Sequence, residues 1–243
     1  MVLAGPAHAA PKPLTAEEVY ELGQKYLRRD LFTKALEQFN RVRSYFRDDP
    51  YSLKAELAIA DIHYEKKEWD EARVAYEDFM RAHPRYPELD LVVYRLGMTV
   101  YRKAPQIPDR DQTWTRQVVS TWAGFGARFP ESEHRAEVDK FLGKAQARLA
   151  RKEIAVAEFY QRREAYAAVI GRVDPMLTAW PETPDRGHAL LLLGTAHHRL
   201  GNDEDAKATL ERLSAEKPAS AEARALLREL SRSPKPIKVR RTG

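Results

Sequence analysis

The side chains of this chain that could take part in catalysis or metal binding are few. The pair His197-His198 is a candidate for metal ligation or acid–base chemistry, but neither an H-E-x-x-H motif nor a third ligand at a metal-site spacing accompanies it. The sequence has no G-x-S-x-G motif, no glycine-rich phosphate loop and no cysteine. It therefore predicts no enzyme, no metal site and no cofactor.

A recurring pattern of small and aromatic residues predicts the helices on which these side chains lie. Its three clearest copies contain Leu22-Gly23-x-x-Tyr26 with Ala35, Phe39 and Pro50; Ile59-Ala60-x-x-His63 with Ala72, Tyr76 and Pro84; and Leu193-Gly194-x-x-His197 with Ala206, Leu210 and Pro218. This is the tetratricopeptide (TPR) pattern, in which small residues let two antiparallel helices pack closely. His63 and His197 occupy its tyrosine position, which favours packing over metal binding.

One such hairpin cannot bury its apolar face alone, so several must stack. The sequence predicts an all-α fold, a right-handed α-solenoid of about five TPR helical hairpins. A TPR domain is expected over 14–230, with repeats at about 15–50, 51–84, 88–130, 134–181 and 185–218. Thr15 and Glu18 have the spacing of a capping box, which predicts the start of the first helix.

The spacing between repeats is uneven. Equivalent second-helix positions at Ala35, Ala72, Val118, Val169 and Ala206 are 37, 46, 51 and 37 residues apart. The first excess is a proline-bearing loop over 104–113, and the second predicts a lengthened helix of about 30 residues from His134 to about Arg163. The helix over 165–180 is expected to be bent or interrupted at Asp174-Pro175.

The two ends of the chain have no helical periodicity. Residues 1–13 contain Ala7-His8-Ala9, an A-x-A cleavage pattern, so they are either a disordered leader or a signal-peptide remnant. The expected flexible tail, 231–243, has five basic residues and no acidic one, against a formal net charge of +5 for the whole chain. The tail could associate peripherally with anionic membrane lipids or simply solubilise the chain. Because the repeat body is nearly neutral, we expect no nucleic-acid binding.

The first helix of each hairpin lines the inner surface of a TPR stack. Counting from the repeat leucine, the inward positions are Tyr20, Gln24 and Leu27; Leu57, Asp61 and Tyr64; and Tyr94, Met98 and Tyr101. Four tyrosines at these nine positions suit an extended segment with aromatic side chains, since each ring combines apolar area with a polar tip. Alternatively, the tyrosines pack between adjacent repeats.

Several segments together resemble the BamD family, the TPR lipoproteins of the β-barrel assembly machinery in Gram-negative outer membranes. They are Asp48-Asp-Pro-Tyr-Ser52, His83-Pro-Arg-Tyr-Pro87, Asp109-Arg-Asp-Gln-Thr113, Arg128-Phe-Pro-Glu-Ser132, Glu153-x-x-Val156-Ala-Glu-Phe-Tyr160 and Ala165-x-x-Ala168-x-x-x-Arg172-Val173. The insertion followed by the V-A-x-F-Y helix is the most specific part.

The resemblance implies a non-catalytic assembly factor at the periplasmic face of the outer membrane. Its N-terminal repeats would bind C-terminal signals of unfolded outer membrane proteins, with Tyr45, Phe46 and Tyr51 in the client-contact region. Its C-terminal repeats would dock on the periplasmic domains of a BamA-like insertase, with Arg172 at the position of the family's contact arginine. Arg172 could also be an ordinary surface arginine. Other Bam lipoproteins are further candidate partners.

The sequence leaves open both the lipid anchor and the exact function. Family members carry a lipobox cysteine, and this sequence contains none, so the lipid anchor is uncertain. A different periplasmic TPR adaptor, serving envelope division or secretion, is the alternative function. A cytosolic co-chaperone of the carboxylate-clamp kind is disfavoured, because the positions that need Lys and Asn hold Tyr20, Gln24 and Ala58.

Overall fold

The computed structural model describes residues 13–216 and 221–232, and every regular element within these residues is a helix. The helices are α1 (Ala16–Leu27), α2 (Phe32–Tyr45), α3 (Pro50–Glu65), α4 (Trp69–Ala82), α5 (Leu89–Lys103), α6 (Thr113–Trp122), α7 (Phe125–Arg128), α8 (Arg135–Gln161), α9 (Tyr166–Ala179), α10 (Arg186–Arg199), α11 (Asp203–Glu216) and α12 (Ala221–Arg232). The all-α TPR fold is thus confirmed.

The chain divides into two compact units, Met1–Lys103 and Ala104–Gly243. The division falls inside the third predicted repeat (88–130), after α5 and at the start of the proline-bearing loop. In the first unit α1 packs on α2, α3 on α4, and α2 and α4 each contact the helix that follows. In the second unit α8 packs on α9 and α10 on α11.

The N-terminus of α1 is held by the predicted capping box. The Thr15 hydroxyl accepts a hydrogen bond from the Glu18 amide at 3.2 Å, and the Glu18 carboxylate accepts one from the Thr15 amide at 2.8 Å. The helix then packs on α2 through Gly23, where an added Cβ would lie 2.7 Å from the buried ring of Phe39. Gly194 approaches Leu210 in the same way in the second unit.

The lengthened helix is confirmed, because α8 runs for 27 residues. The loop before α6 is organised around Gln112, which is fully buried. Its Nε2 donates to the carbonyl oxygens of Ile107, Pro108 and Arg110, and its Oε1 accepts from Thr115. Arg148 and Lys152 of α8 donate to Gln106 and to the Arg110 carbonyl, which ties the loop to the helix.

The expected interruption at Asp174-Pro175 does not occur, because α9 continues through Pro175. A proline inside a helix costs about 3 kcal/mol. Val173, Met176 and Leu177 surround it and are buried in the apolar core of the second unit. Burial of these side chains on both sides of the proline offsets the lost hydrogen bond.

The sequence also missed α12, whose Leu226, Leu227 and Leu230 pack against the same core. Ser231 and Arg232, assigned to the flexible tail, are its last two residues. The rest of that tail, 233–243, and residues 1–12 of the leader lie outside the described residues.

Candidate binding groove

Five of the predicted inward-facing positions line one cavity of about 450 Å³ in the first unit, which we call the inner pocket. Leu27 comes from α1, Asp61 and Tyr64 from α3, and Tyr94 from α5; Met98 of α5 is a fifth. The first helices of three successive hairpins therefore supply one binding surface.

Asp61 is the polar centre of the inner pocket. It accepts a hydrogen bond from the Tyr76 hydroxyl at 2.6 Å and pairs with Arg95. Burial raises the pKa of Asp61, against the opposing effects of the Arg95 charge and of the two hydrogen bonds. Burial and the neighbouring carboxylate also raise the pKa of Tyr76. The phenol thus stays a donor to Asp61.

A second group of predicted residues lies near the start of α1 and α3. The Tyr20 ring packs 5.3 Å from the Tyr51 ring and 5.4 Å from the Phe39 ring, measured between centroids. The Gln24 amide donates to the Tyr20 hydroxyl at 2.9 Å, and the Tyr51 hydroxyl donates to Glu17 at 2.8 Å. Burial raises the pKa of Tyr20, and the hydrogen bond to Glu17 raises the pKa of Tyr51. Both phenols therefore stay neutral and offer polar tips beside apolar faces.

Tyr45 and Phe46 lie at a different surface from the inner pocket. They line a cavity of about 690 Å³ at the end of α2, together with Leu14 and Arg41. Tyr45 is 78% exposed, whereas Phe46 is half-buried and packs on the core of the first unit. Of the client-contact residues that the family resemblance implies, Tyr45 and Phe46 thus lie apart from the inner pocket. Tyr51 instead packs on the inward-facing Tyr20.

Two predicted groove residues are largely hidden. Met98 is 5% exposed and Tyr101 is 7% exposed, although Met98 still lines the inner pocket. Tyr101 therefore does not face the groove as expected. It packs inside the unit, as in the alternative stated for the tyrosines. Tyr101 lies in the last turn of α5, beyond the residues that line the pocket.

Five further residues that were not predicted to face the groove also line the inner pocket: Asp30, Phe32, Glu65, Tyr76 and Arg95. A signal for Arg95 exists in the spacing: Asp61 and Arg95 are 34 residues apart. Equivalent positions on the first helices are 37 residues apart, as for Asp61 and Met98, so Arg95 lies about one helical turn before the position equivalent to Asp61 on the next hairpin. The pairs Glu17–Tyr51 and Arg151–Asp185 have the same separation.

Arg172 lies on the exposed side of α9 in the second unit. Its side chain is 48% exposed and donates to Glu153 of α8 at 3.4 Å. An exposed ion pair of this length contributes little to stability. The guanidinium is accordingly available to a partner's carboxylate without a large cost to this chain.

The second unit has a cavity of its own, about 690 Å³, between α8, α10 and α12. His188 of α10 contacts Glu158 of α8 at 2.7 Å, and His198 lies 3.8 Å from Glu229 of α12. These contacts join α10 to α8 and α12. In residues 13–216 and 221–232 no group of three or more His, Cys, Asp or Glu side chains is placed to hold a metal ion.

No helix among the described residues has the length and apolar character needed to cross a membrane. The inner pocket offers phenol hydroxyls, the Arg95 guanidinium and carboxylates beside apolar rings.

Comparison with known proteins agrees with the resemblance noted from the sequence. The model of the YfiO family, described as outer membrane lipoprotein, matches residues 13–213. Outer membrane protein assembly factor BamD of Pasteurella multocida is 30% identical over 201 residues, covering 79% of this chain and 77% of that protein. BamD of Neisseria meningitidis serogroup A is 26% identical over 215 residues, covering 85% and 80%.

Among solved structures, the TPR2AB-domain:pHSP90-complex of yeast Sti1 matches with a TM-score of 0.45 and 14% identity, covering 89% of this chain and 83% of that one. This likeness is too distant to carry an argument about function. The family model is decisive, since it matches most of the chain across both units. The chain belongs to the YfiO family of outer membrane lipoproteins, the family of the BamD assembly factors.

Proposed function

We propose that this chain is a non-catalytic assembly factor for outer membrane β-barrel proteins, acting at the periplasmic face of the outer membrane. The inner pocket and the adjacent Tyr20 and Tyr51 bind the C-terminal segments of unfolded outer membrane proteins. The second unit docks on a BamA-type insertase through Arg172. Family membership supports the general role, since the relatives are named outer membrane protein assembly factors.

The main support for client binding is that Tyr64 of α3 and Tyr94 of α5 line the same pocket. Each tyrosine is half-buried, with its ring supported by the protein; Tyr64 packs edge-on against Trp69 at 5.4 Å. Rigid aromatic side chains lose little conformational entropy on binding and contribute large contact areas. They suit a client segment that is itself rich in aromatic residues.

The experiment is a titration of the purified chain with a fluorescently labelled peptide from the C-terminus of an outer membrane β-barrel protein. Tyr64→Ala is expected to weaken binding about tenfold, because it removes one ring from the pocket wall. Tyr45→Ala is the matched variant on the separate, exposed surface, and it should leave the affinity unchanged. Urea unfolding of both variants checks that the fold is kept.

Two results would contradict the proposal. Equal affinity of Tyr64→Ala and the parent chain would remove the inner pocket from client binding. A loss confined to Tyr45→Ala would move the client site to the surface at the end of α2.

A further inference from the structure

The inner pocket carries an excess of negative charge. Asp30, Asp61 and Glu65 line it against a single guanidinium, that of Arg95. Arg95 is already paired with Asp61. Neither Asp30 nor Glu65 forms an ion pair with any residue in 13–216 or 221–232, and both are exposed to solvent. Two carboxylates at the pocket are therefore left without a cation.

Aromatic and apolar side chains form the rest of the wall near these carboxylates. Tyr64 is adjacent in sequence to Glu65, and Phe32 lies two residues after Asp30. The face of an aromatic ring carries negative charge density and attracts a cation. Leu27 and Met98 provide the apolar surface on which the methylene groups of a long basic side chain pack. The negative charge and the apolar surface of the pocket thus both favour a long basic side chain.

The same arrangement disfavours an anion. A client's terminal carboxylate placed at Arg95 would compete with Asp61, which holds that guanidinium and has the Tyr76 hydroxyl as its second partner. It would also face Asp30 and Glu65, and like charges brought together at an interface oppose binding.

We propose that the inner pocket binds a lysine or arginine side chain of the client segment, flanked by the client's aromatic residues. This proposal deepens the client-binding function above and rests on it. The cation lies against Glu65 and Asp30 with its stem on Leu27 and Met98. The terminal carboxylate of the client is held outside this pocket. The chain thus recognises a basic residue near the client's C-terminus in addition to the client's aromatic residues.

The test compares two labelled C-terminal peptides that differ at one position, lysine in one and norleucine in the other. Norleucine keeps the apolar stem and removes the charge. The full chain is expected to bind the lysine peptide about fivefold more tightly, the ratio that corresponds to one partly exposed cation–aromatic contact with a nearby carboxylate. Glu65→Gln should reduce this difference to less than about twofold, because it removes one of the two carboxylates that face the cation.

Glu71→Gln is the matched control, because Glu71 is an exposed glutamate of the same unit that lies outside the inner pocket. It should keep the fivefold preference. Equal binding of both peptides to the parent chain would overturn the proposal while leaving client binding intact. Loss of the preference in Glu71→Gln as well would also overturn it, because the effect would come from net charge. If neither peptide binds, the client-binding function itself fails.

Discussion

At the scale of single residues, the inner pocket depends on one buried polar contact and on close packing behind it. Asp61 pairs with Arg95 and accepts a hydrogen bond from the Tyr76 hydroxyl, so these polar groups of the pocket have partners without a ligand. α1, which contributes Leu27 to the pocket, approaches α2 closely at Gly23. A residue without a side chain is needed there, since the Phe39 ring occupies the space of a Cβ.

This close approach gives a test at Gly23. Gly23→Ala should destabilise the chain by about 1–3 kcal/mol, because the new methyl group overpacks a core in which Phe39 is fully buried. Gly143→Ala is the matched control: a Cβ there meets nothing within 4 Å, and helix propensity predicts a gain of about 1 kcal/mol. Urea unfolding monitored by circular dichroism measures both. A neutral or stabilising Gly23→Ala would show that the helices separate easily.

At the scale of elements, contacts between hairpins recur at nearly the same sequence separation, and the insertion interrupts this regularity. Asp61–Arg95, Asp70–Lys103 and Arg151–Asp185 each join residues 33 or 34 positions apart. The two hydrogen bonds from α8 to the loop before α6 join residues 42 positions apart. The loop is stabilised by the Gln112 side chain and by α8, through Arg148 and Lys152.

The loop therefore depends on one side chain. Gln112→Ala should destabilise the chain by about 1–3 kcal/mol, because the loop carbonyls lose their buried donor. It should also raise amide hydrogen exchange across 104–112, measured by mass spectrometry. Gln117→Ala, on the partly exposed face of α6, is the control and should change neither quantity. Unchanged exchange in Gln112→Ala would mean that the contacts with α8 suffice to order the loop.

At the scale of the whole molecule, each of the two units has its own apolar core and its own surface. The first carries the inner pocket, and the second carries Arg172 and the cavity between α8, α10 and α12. Under the proposed function, client binding and docking are then separable by mutation.

Arg172→Glu tests this separation. The variant should reduce co-purification with the insertase periplasmic domains about tenfold, since it replaces a charge-assisted contact with a repulsive one. Affinity for the client peptide should not change. Arg212→Glu makes the same charge change on the exposed side of α11 and should have no effect on either assay. Normal docking of Arg172→Glu, or a parallel loss of peptide binding, would argue against this division of labour.

The local pattern alone was enough to predict the helical hairpins, the capping box at Thr15 and the long α8, because helix periodicity, caps and small-residue spacing act over a few turns. It was not enough at Pro175, where burial of the neighbouring side chains outweighs the local cost. It also missed α12, whose leucines have helical spacing but no TPR signature.

For the inner pocket, helix periodicity in the sequence was sufficient to predict which helix faces point inward, and hence Asp61, Tyr64 and Tyr94. The folded chain was needed to show that Tyr101 is hidden, that Tyr45 and Phe46 lie at another surface, and that Arg95 pairs with Asp61. The physical reason is that the orientation of a side chain on its helix follows from a period of 3.6 residues. Burial and charge pairing depend instead on residues one repeat or more away.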